Sequence, residues 1–194
     1  MNMKALHLDV CNSGISGDMF LTALLGLIED PEEVLGELEN LKGKISGVSA
    51  LKMELNEVDR SGILVAQLSI NLEEDTSHRS VKELKDTLEH YMTEHSFSKN
   101  AKKYARSVLE NLIMAEAKVH GKSMEEVHLH ELSSVDTLID ILGVAKCLDL
   151  LGGFEAHVRV SCSKVPLGGG TVQSAHGMLP VPAPATVKIL EGSR

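Results

Sequence analysis

The chain has 194 residues, of which 43% are hydrophobic and 24% are charged, and its formal net charge is −9. This composition is typical of a globular protein and argues against disorder throughout. The negative charge and the low aromatic content of 3% argue against a nucleic-acid partner, which would need basic surfaces and aromatic stacking platforms. A single phosphorylated small molecule bound at a local site stays compatible with the charge.

The cysteine pattern and the apolar runs indicate a cytoplasmic protein without a membrane partner. Cys11, Cys147 and Cys162 are scattered, which fits neither a disulfide framework nor a zinc knuckle. The first ten residues lack the apolar stretch of a signal peptide. The longest apolar run, 19–28, is too short to span a bilayer.

Apolar periodicity and capping residues predict the elements of the amino-terminal half. Asp30 can cap a helix, and alternating apolar residues on both sides of 59–62 indicate a β-hairpin. The predicted elements in chain order are a strand at 5–10, a small-residue loop at 11–17, a buried helix at 19–28, a helix from 31 to about 40, and a hairpin from 51–55 and 64–70.

The carboxyl-terminal half is predicted to be mainly helical. Ser80 and Glu83 form a capping box, Ser98 can cap a longer helix, and Gly121 can end it. The predicted elements are helices after Ser80, at about 99–120 and at 135–151, a strand at 158–162, an irregular Gly- and Pro-rich segment at 166–184, and a short helix at 185–190. We therefore expect an α/β fold with a mixed sheet that includes the hairpin and packs with several helices. The whole chain is expected to be one domain, with 73–79 as the best candidate for an internal boundary.

The segment His128-Leu129-His130-Glu131 predicts a metal site. On an extended segment the two histidines would point to one face, and neutral imidazoles with a carboxylate suit nickel, zinc, copper or iron. The next helix places Asp136 and Asp140 one turn apart. Asp136 could simply complement the helix dipole, with Ser133 as the cap. Asp140 is flanked by aliphatic residues, and such an acid usually needs a partner.

Two further segments are candidates for substrate binding. The loop between the first strand and helix carries Asp9, Ser13, Gly14, Ser16, Gly17 and Asp18. Its glycines allow backbone amides to approach an anion at the helix start, and the two aspartates could share a divalent ion with it; a tight turn is the alternative. The second segment contains Gly169, Gly170 and His176, and it could form a wall of the site.

Five segments of the chain form an ordered set: 13–19 (SGISGDM), 115–121 (AEAKVHG), 127–131 (VHLHE) continuing through 135–143 (VDTLIDILG), 166–170 (PLGGG) and 176–186 (HGMLPVPAPAT). Together they extend over nearly the whole chain. The chain thereby resembles the LarC family, the nickel-insertion proteins of nickel-pincer cofactor biosynthesis, in which these segments occur in the same order, and this order makes the resemblance specific.

The resemblance implies a nickel chelatase, classed as a lyase, that inserts Ni(II) into pyridinium-3,5-bisthiocarboxylic acid mononucleotide. The product would be the nickel-pincer nucleotide cofactor, with a lactate racemase-type apoenzyme as recipient. The family reaction uses CTP with Mn or Mg in a carboxyl-terminal part, so this chain is expected to be the amino-terminal portion and to need that part as a domain or subunit. A homo-oligomer is also expected.

Within this resemblance, Asp18, His130 and Glu131 are the expected catalytic residues, and the loop carrying Asp9 would hold the substrate phosphate through a metal ion. Two alternatives stay open. The chain could be a nickel metallochaperone that binds and transfers metal without turnover. It could also be a metal-dependent phosphohydrolase that uses Asp9 and Asp18.

Overall fold

The computed structural model describes residues 4–75, 79–127, 129, 134–174 and 177–191. These residues form six α-helices, six β-strands and a short 3-10 helix at Asn40–Gly43. The strands are β1 (Lys4–Leu8), β2 (Val48–Arg60), β3 (Ile63–Glu74), β4 (Val158–Cys162), β5 (Thr171–Ser174) and β6 (Gly177–Pro180). The helices are α1 (Gly17–Leu25), α2 (Pro31–Glu39), α3 (Val81–Glu94), α4 (Lys99–His120), α5 (Val135–Leu150) and α6 (Pro184–Leu190).

The predicted α/β class is confirmed, and the strands pair as three separate two-stranded sheets in the described part of the chain. β1 pairs with β4 in parallel, whereas β2 with β3 and β5 with β6 are antiparallel. The parallel pair joins the first strand to a strand that follows α5, so the loop after β1 lies beside the loop after β4, and the Val10 amide donates to the Ser163 hydroxyl at 2.8 Å. Parallel and antiparallel pairing therefore both occur, but in different sheets.

The β2–β3 hairpin is confirmed and extends further than the sequence pattern predicts. Its register runs from Val48 opposite Glu74 to Arg60 opposite Ile63. At the turn, the Asp59 carboxylate accepts a hydrogen bond of 2.9 Å from the Gly62 amide. Gly62 has φ +85°, a conformation that glycine adopts without steric penalty.

The predicted caps mostly form. The Asp30 side chain accepts from the Glu33 amide at 3.1 Å, and the Ser98 hydroxyl accepts from the Ala101 amide at 3.2 Å. The Ser80 hydroxyl also accepts from the Glu83 amide. The Glu83 carboxylate, however, accepts from the hydroxyl of Ser46, so only one half of the predicted capping box is made. A tertiary partner therefore takes the side chain that the local motif would have used.

The segment predicted to be irregular contains a second hairpin. β5 and β6 pair from Thr171 opposite Pro180 to Ser174 opposite Gly177. Its strands are only four residues long and carry little hydrophobic alternation, which is why the pattern did not reveal them. The prediction of an irregular loop was therefore wrong for these residues.

The hydrophobic core is aliphatic and centres on α5. This helix buries most of its circumference, including Leu138, Ile139 and Leu142, each 0% exposed. Helices α1, α2 and α4 pack on it through leucine, isoleucine and alanine side chains. Within the described ranges, no helix combines the length and the apolar character that crossing a lipid bilayer requires.

The three cysteines should differ sharply in reactivity. Cys147 is buried in α5, and burial raises its pKa to about 12, whereas Cys11 and Cys162 are exposed. Because the thiolate is the nucleophile, an aromatic disulfide reagent at pH 8 should label the two exposed thiols and reach Cys147 only after denaturation. In a Cys11→Ser/Cys162→Ser variant Cys147 is the one remaining thiol, and its rapid labelling in the folded protein would contradict the buried position.

Candidate functional site

Helices α1 and α5 meet at an unusually close contact. A Cβ built on Gly17, the first residue of α1, would lie only 2.0 Å from the Oδ2 atom of Asp140. A second glycine, Gly143 of α5, allows a similar approach from the other helix: a Cβ there would lie 2.8 Å from the side chain of Leu21 on α1. The two glycines let the helix backbones approach, and Asp140 becomes half-buried between them.

Three acidic side chains converge at this contact: Asp140 and Asp136 on α5, and Asp18 on α1. Burial, together with the charges of Asp136 and Asp18, raises the pKa of Asp140 to about 7. Partial desolvation and the charges of Asp18 and Glu74 also raise the pKa of Asp136, although its side chain is exposed. The folded chain thus holds like charges together.

Asp140 has no compensating partner among the described residues. Its Oδ1 atom is buried without a hydrogen bond. Among the described residues, no Lys, Arg or His side chain forms an ion pair with the carboxylate. An unpaired buried carboxylate is costly, so the site favours either a proton or a cation at this position. This is the chemical property that a metal-binding site would have.

Asp18 is held in place at the start of α1. Its carboxylate accepts hydrogen bonds from the Ser16 hydroxyl and from the Met19 amide, the latter at 2.9 Å. Ser16 is the N-cap by position but makes no side-chain cap bond to the helix; its hydroxyl donates to Asp18. This local network sets the direction of the Asp18 side chain.

Glu74 belongs to the same charged region, although the sequence pattern did not single it out. It accepts a hydrogen bond of 3.1 Å from the hydroxyl of Ser134, and Arg79 donates to it at 2.8 Å. Ser134, and not Ser133 as predicted, is the N-cap of α5, and its hydroxyl accepts from the Asp136 amide at 3.2 Å. Glu74 lies at the end of a long strand, and only the tertiary structure places it beside α5.

Asp9 interacts with residues other than the three acids. Hydrogen bonds from the thiol and amide of Cys11, with a further contribution from Ser163, lower the pKa of Asp9. Asp18 is not among the charges that affect this pKa. Asp18 does act on Asp136 and Asp140 of α5.

The glycine-rich loops come together near the start of α1. Gly14 has φ +75°, and a Cβ on it would lie 4.0 Å from the carbonyl oxygen of Pro166. Ser13 and Gly14 lie in the turn that follows β1. Gly169 and Gly170 are exposed, and the carbonyl of Gly170 accepts from the Val181 amide at 3.0 Å.

A cavity of about 330 Å³ opens beside Asp140, between α1, α4 and α5. Its walls are largely apolar side chains, and Gly17, Thr137 and Asp140 lie at its surface. A separate cavity of about 230 Å³ lies between β1, the loop with Asp9 and Gly14, and α1. Phe20 of α1 contributes to both cavities.

The predicted ligands His128, His130 and Glu131, and also His176, lie outside the described residues. Their neighbours Val127 and Leu129 are buried, at 5% and 3% exposed. Within the described residues alone, no group of three or more His, Cys, Asp or Glu side chains is arranged to hold a metal ion. The three aspartates are therefore not a complete ligand set by themselves.

Together these features define an α/β protein with a partly buried acidic site that favours a cation, next to an apolar cavity. A family profile described as "Nickel insertion protein" matches residues 6–194, and the chain belongs to this family.

Curated relatives agree with the family match. The chain is 36% identical over 189 residues to the pyridinium-3,5-bisthiocarboxylic acid mononucleotide nickel insertion protein of Staphylococcus epidermidis, with 97% of this chain and 44% of the relative covered. It is 38% identical over 190 residues to a relative from Dictyoglomus thermophilum whose name also refers to nickel insertion, with 98% and 46% covered. The chain thus spans less than half the length of these relatives. No solved structure matches it significantly.

The contact between Gly17 and Asp140 can be tested by a double-mutant cycle. Gly17→Ala should lower the free energy of unfolding by about 1–3 kcal/mol, because the added Cβ must displace the aspartate. In an Asp140→Ala background the same change should cost less, since the two closest atoms, Oδ2 and Cγ, are gone and only the Cβ of residue 140, at 2.7 Å, remains close. Gly36→Ala is the control: nothing lies within 4 Å of that Cβ, so it should stabilise α2 slightly. Equal effects in both backgrounds in urea unfolding would rule out the contact.

The titration of Asp140 predicts a pH-dependent stability of the metal-free protein. Its pKa of about 7 in the folded protein lies above the ordinary value of 3.8, so the folded state binds the proton more tightly than the unfolded state does. The free energy of unfolding therefore falls as the pH rises from about 4 to 7. Asp140→Asn should therefore raise the free energy of unfolding at pH 8 by about 1–2 kcal/mol, after allowance for partial exposure, and change it little at pH 4. Urea unfolding at both pH values, with the exposed-residue variant Glu54→Gln as control, measures this; an equal effect at pH 4 and pH 8 would contradict it.

Proposed function

We propose that this chain holds Ni(II) and pyridinium-3,5-bisthiocarboxylic acid mononucleotide while the metal enters the ring substrate. The observation that carries the proposal is Asp140, a half-buried carboxylate that has no partner among the described residues and lies in the field of Asp136 and Asp18. Nickel is here a substrate of the reaction. The name of the Staphylococcus epidermidis relative supplies the organic substrate.

The proposed nickel ligands come from two neighbouring stretches of chain. Asp136 and Asp140 are four residues apart and share a face of α5. His128, His130 and Glu131 precede that helix by a few residues, and imidazole and carboxylate donors together suit divalent nickel. Chain connectivity limits the separation of Glu131 from Asp136 to at most roughly 18 Å, so both sets can contribute to one site.

The carboxylate donors of this site suit a metal ion that must be transferred to the substrate. A dication relieves the repulsion among Asp18, Asp136 and Asp140, which stabilises the loaded protein. The substrate carries two thiocarboxylates, whose sulfur atoms are softer donors than carboxylate oxygen. Transfer from the oxygen donors to these sulfur atoms is therefore favourable. In this proposal Asp18, His130 and Glu131 contact the nickel during transfer.

The phosphate of the mononucleotide is assigned to the glycine-rich loops. Ser13, Gly14, Ser16 and Gly17 lead into α1, whose first amides can donate to an anion. The loop carrying Gly169 and Gly170 lies on the same side of the molecule through the approach of Pro166 to Gly14. Asp9 and His176 complete the proposed substrate-binding set, with Asp9 acting through a divalent ion.

The remaining steps are assigned to the part of the relatives that this chain does not cover. We place CTP, with its Mn or Mg, on a carboxyl-terminal domain or subunit, and we expect a lactate racemase-type apoenzyme as recipient. In this proposal the complete protein is a lyase of the cytoplasm that works as a homo-oligomer. A nickel metallochaperone without turnover is the alternative that the experiments separate.

Nickel binding is the first test. Calorimetry with Ni(II) at pH 7.5 should show a site in the wild-type chain, and its affinity should fall at least about tenfold, or 1.4 kcal/mol, in Asp136→Asn/Asp140→Asn and in His128→Ala/His130→Ala. Glu54→Gln, which alters an exposed carboxylate on β2, should bind like wild type. Unchanged affinity in both double variants would remove these residues as ligands.

Turnover is the second test. The chain joined to the carboxyl-terminal part of a relative should convert the mononucleotide to its nickel complex in the presence of Ni(II), CTP and Mn, as detected by absorbance and mass spectrometry. Asp140→Asn should reduce the rate strongly, and Glu54→Gln should not. Tight nickel binding without any nickelated product would support the metallochaperone instead.

A further inference from the structure

The apolar cavity beside Asp140 has features that a simple packing gap would lack. Its volume of about 330 Å³ is at the lower end of the range for small-molecule pockets, roughly 300–1,000 Å³. Three helices contribute to it at regular spacings: Tyr104, Val108 and Leu112 on α4 follow one another at four-residue intervals. One continuous stripe of α4 therefore faces the cavity.

The wall chemistry is that of an aromatic ring site. Two aromatic side chains, Phe20 of α1 and Tyr104 of α4, line the cavity together with aliphatic residues such as Val144 of α5. Both aromatic residues are only partly buried: they pack against the hydrophobic core and also contribute to the cavity wall. Aromatic faces attract cationic groups as well as apolar ones, and a pyridinium ring is both flat and positively charged.

The polar side of the cavity is the carboxylate of Asp140, next to Gly17 and Thr137. We infer that this cavity receives the pyridinium ring of the mononucleotide, with its thiocarboxylates directed toward Asp140 and the nickel held there. The inference rests on the proposed function. It adds that α1, α4 and α5 form the ring pocket and that Phe20 and Tyr104 line it.

This arrangement requires nickel and the mononucleotide to favour each other's binding. Anionic thiocarboxylates next to Asp140, Asp136 and Asp18 would be repelled in the absence of a cation. Ni(II) between the two sets of negative charges changes repulsion into attraction. The coupling is reciprocal, because each ligand must raise the affinity of the other by the same factor.

The experiment uses the unmodified chain and a matched pair of variants on α4. In methyl-labelled wild type that is already saturated with Ni(II), adding the mononucleotide should further shift the NMR signals of Val108, Leu112 and Val144 but not of Val119, which is exposed on the same helix. Val108→Phe, which fills the cavity, should weaken mononucleotide binding at least about tenfold and leave Ni(II) affinity within about twofold. Val119→Phe should change neither affinity.

The outcomes separate this inference from the proposed function. If Ni(II) binding depends on Asp140 but the cavity methyl signals do not move, the ring binds elsewhere and the inference fails while nickel handling stands. If Val108→Phe does not fold, the wild-type methyl signals decide alone. If the chain shows no Asp140-dependent nickel binding, the proposed function itself fails, and methyl shifts with mononucleotide alone would show a ring pocket without a nickel site.

Discussion

The contact between Gly17 and Asp140 is the constraint on which the arrangement of the site depends. Because Gly17 has no Cβ, α1 lies close enough to α5 to cover the Asp140 carboxylate. The same approach brings Asp18 into the field of the α5 acids and forms one wall of the neighbouring cavity. Together with Gly143, which allows the same approach from α5, the missing side chain at Gly17 thus places the acidic residues next to the apolar cavity.

The fold treats its partly buried carboxylates in two different ways. Glu37 contacts Lys146 at 2.9 Å, and Glu74 is paired with Arg79 at 2.8 Å, so each has a cation within the protein. Asp140 has none among the described residues and lies in the field of two further acids instead. Repulsion among these three carboxylates disfavours the folded state. Such an arrangement is expected at a site that must bind a cation from solution.

The family to which the chain belongs and the chemistry of the acidic site both indicate that the chain binds a metal ion, and they rest on different observations. The family profile extends over almost the whole chain, and it identifies nickel insertion, which no acidic cluster could specify. The structure adds a location, since it places the acids, the glycine-rich loops and an apolar cavity around the amino-terminal end of α1. The relatives are more than twice as long as the matched segment, which leaves room for the nucleotide-dependent part of the proposed reaction.

The local sequence was sufficient to predict most of the helices and strands, because helix caps and hydrophobic periodicity depend on residues that are only a few positions apart. Asp30, Ser98 and Gly121 mark helix ends that the structure confirms, and the alternation around 59–62 predicts the long hairpin. The short β5–β6 hairpin could not be predicted from the sequence, because strands of four residues with little hydrophobic alternation have almost no periodic pattern.

The sequence also singled out Asp140, as an acid among aliphatic residues, without identifying what surrounds it. Only the tertiary structure brings Gly17, Asp18 and Glu74 to α5. These residues are distant along the chain, and their proximity results from helix packing and strand ends, which no local spacing encodes.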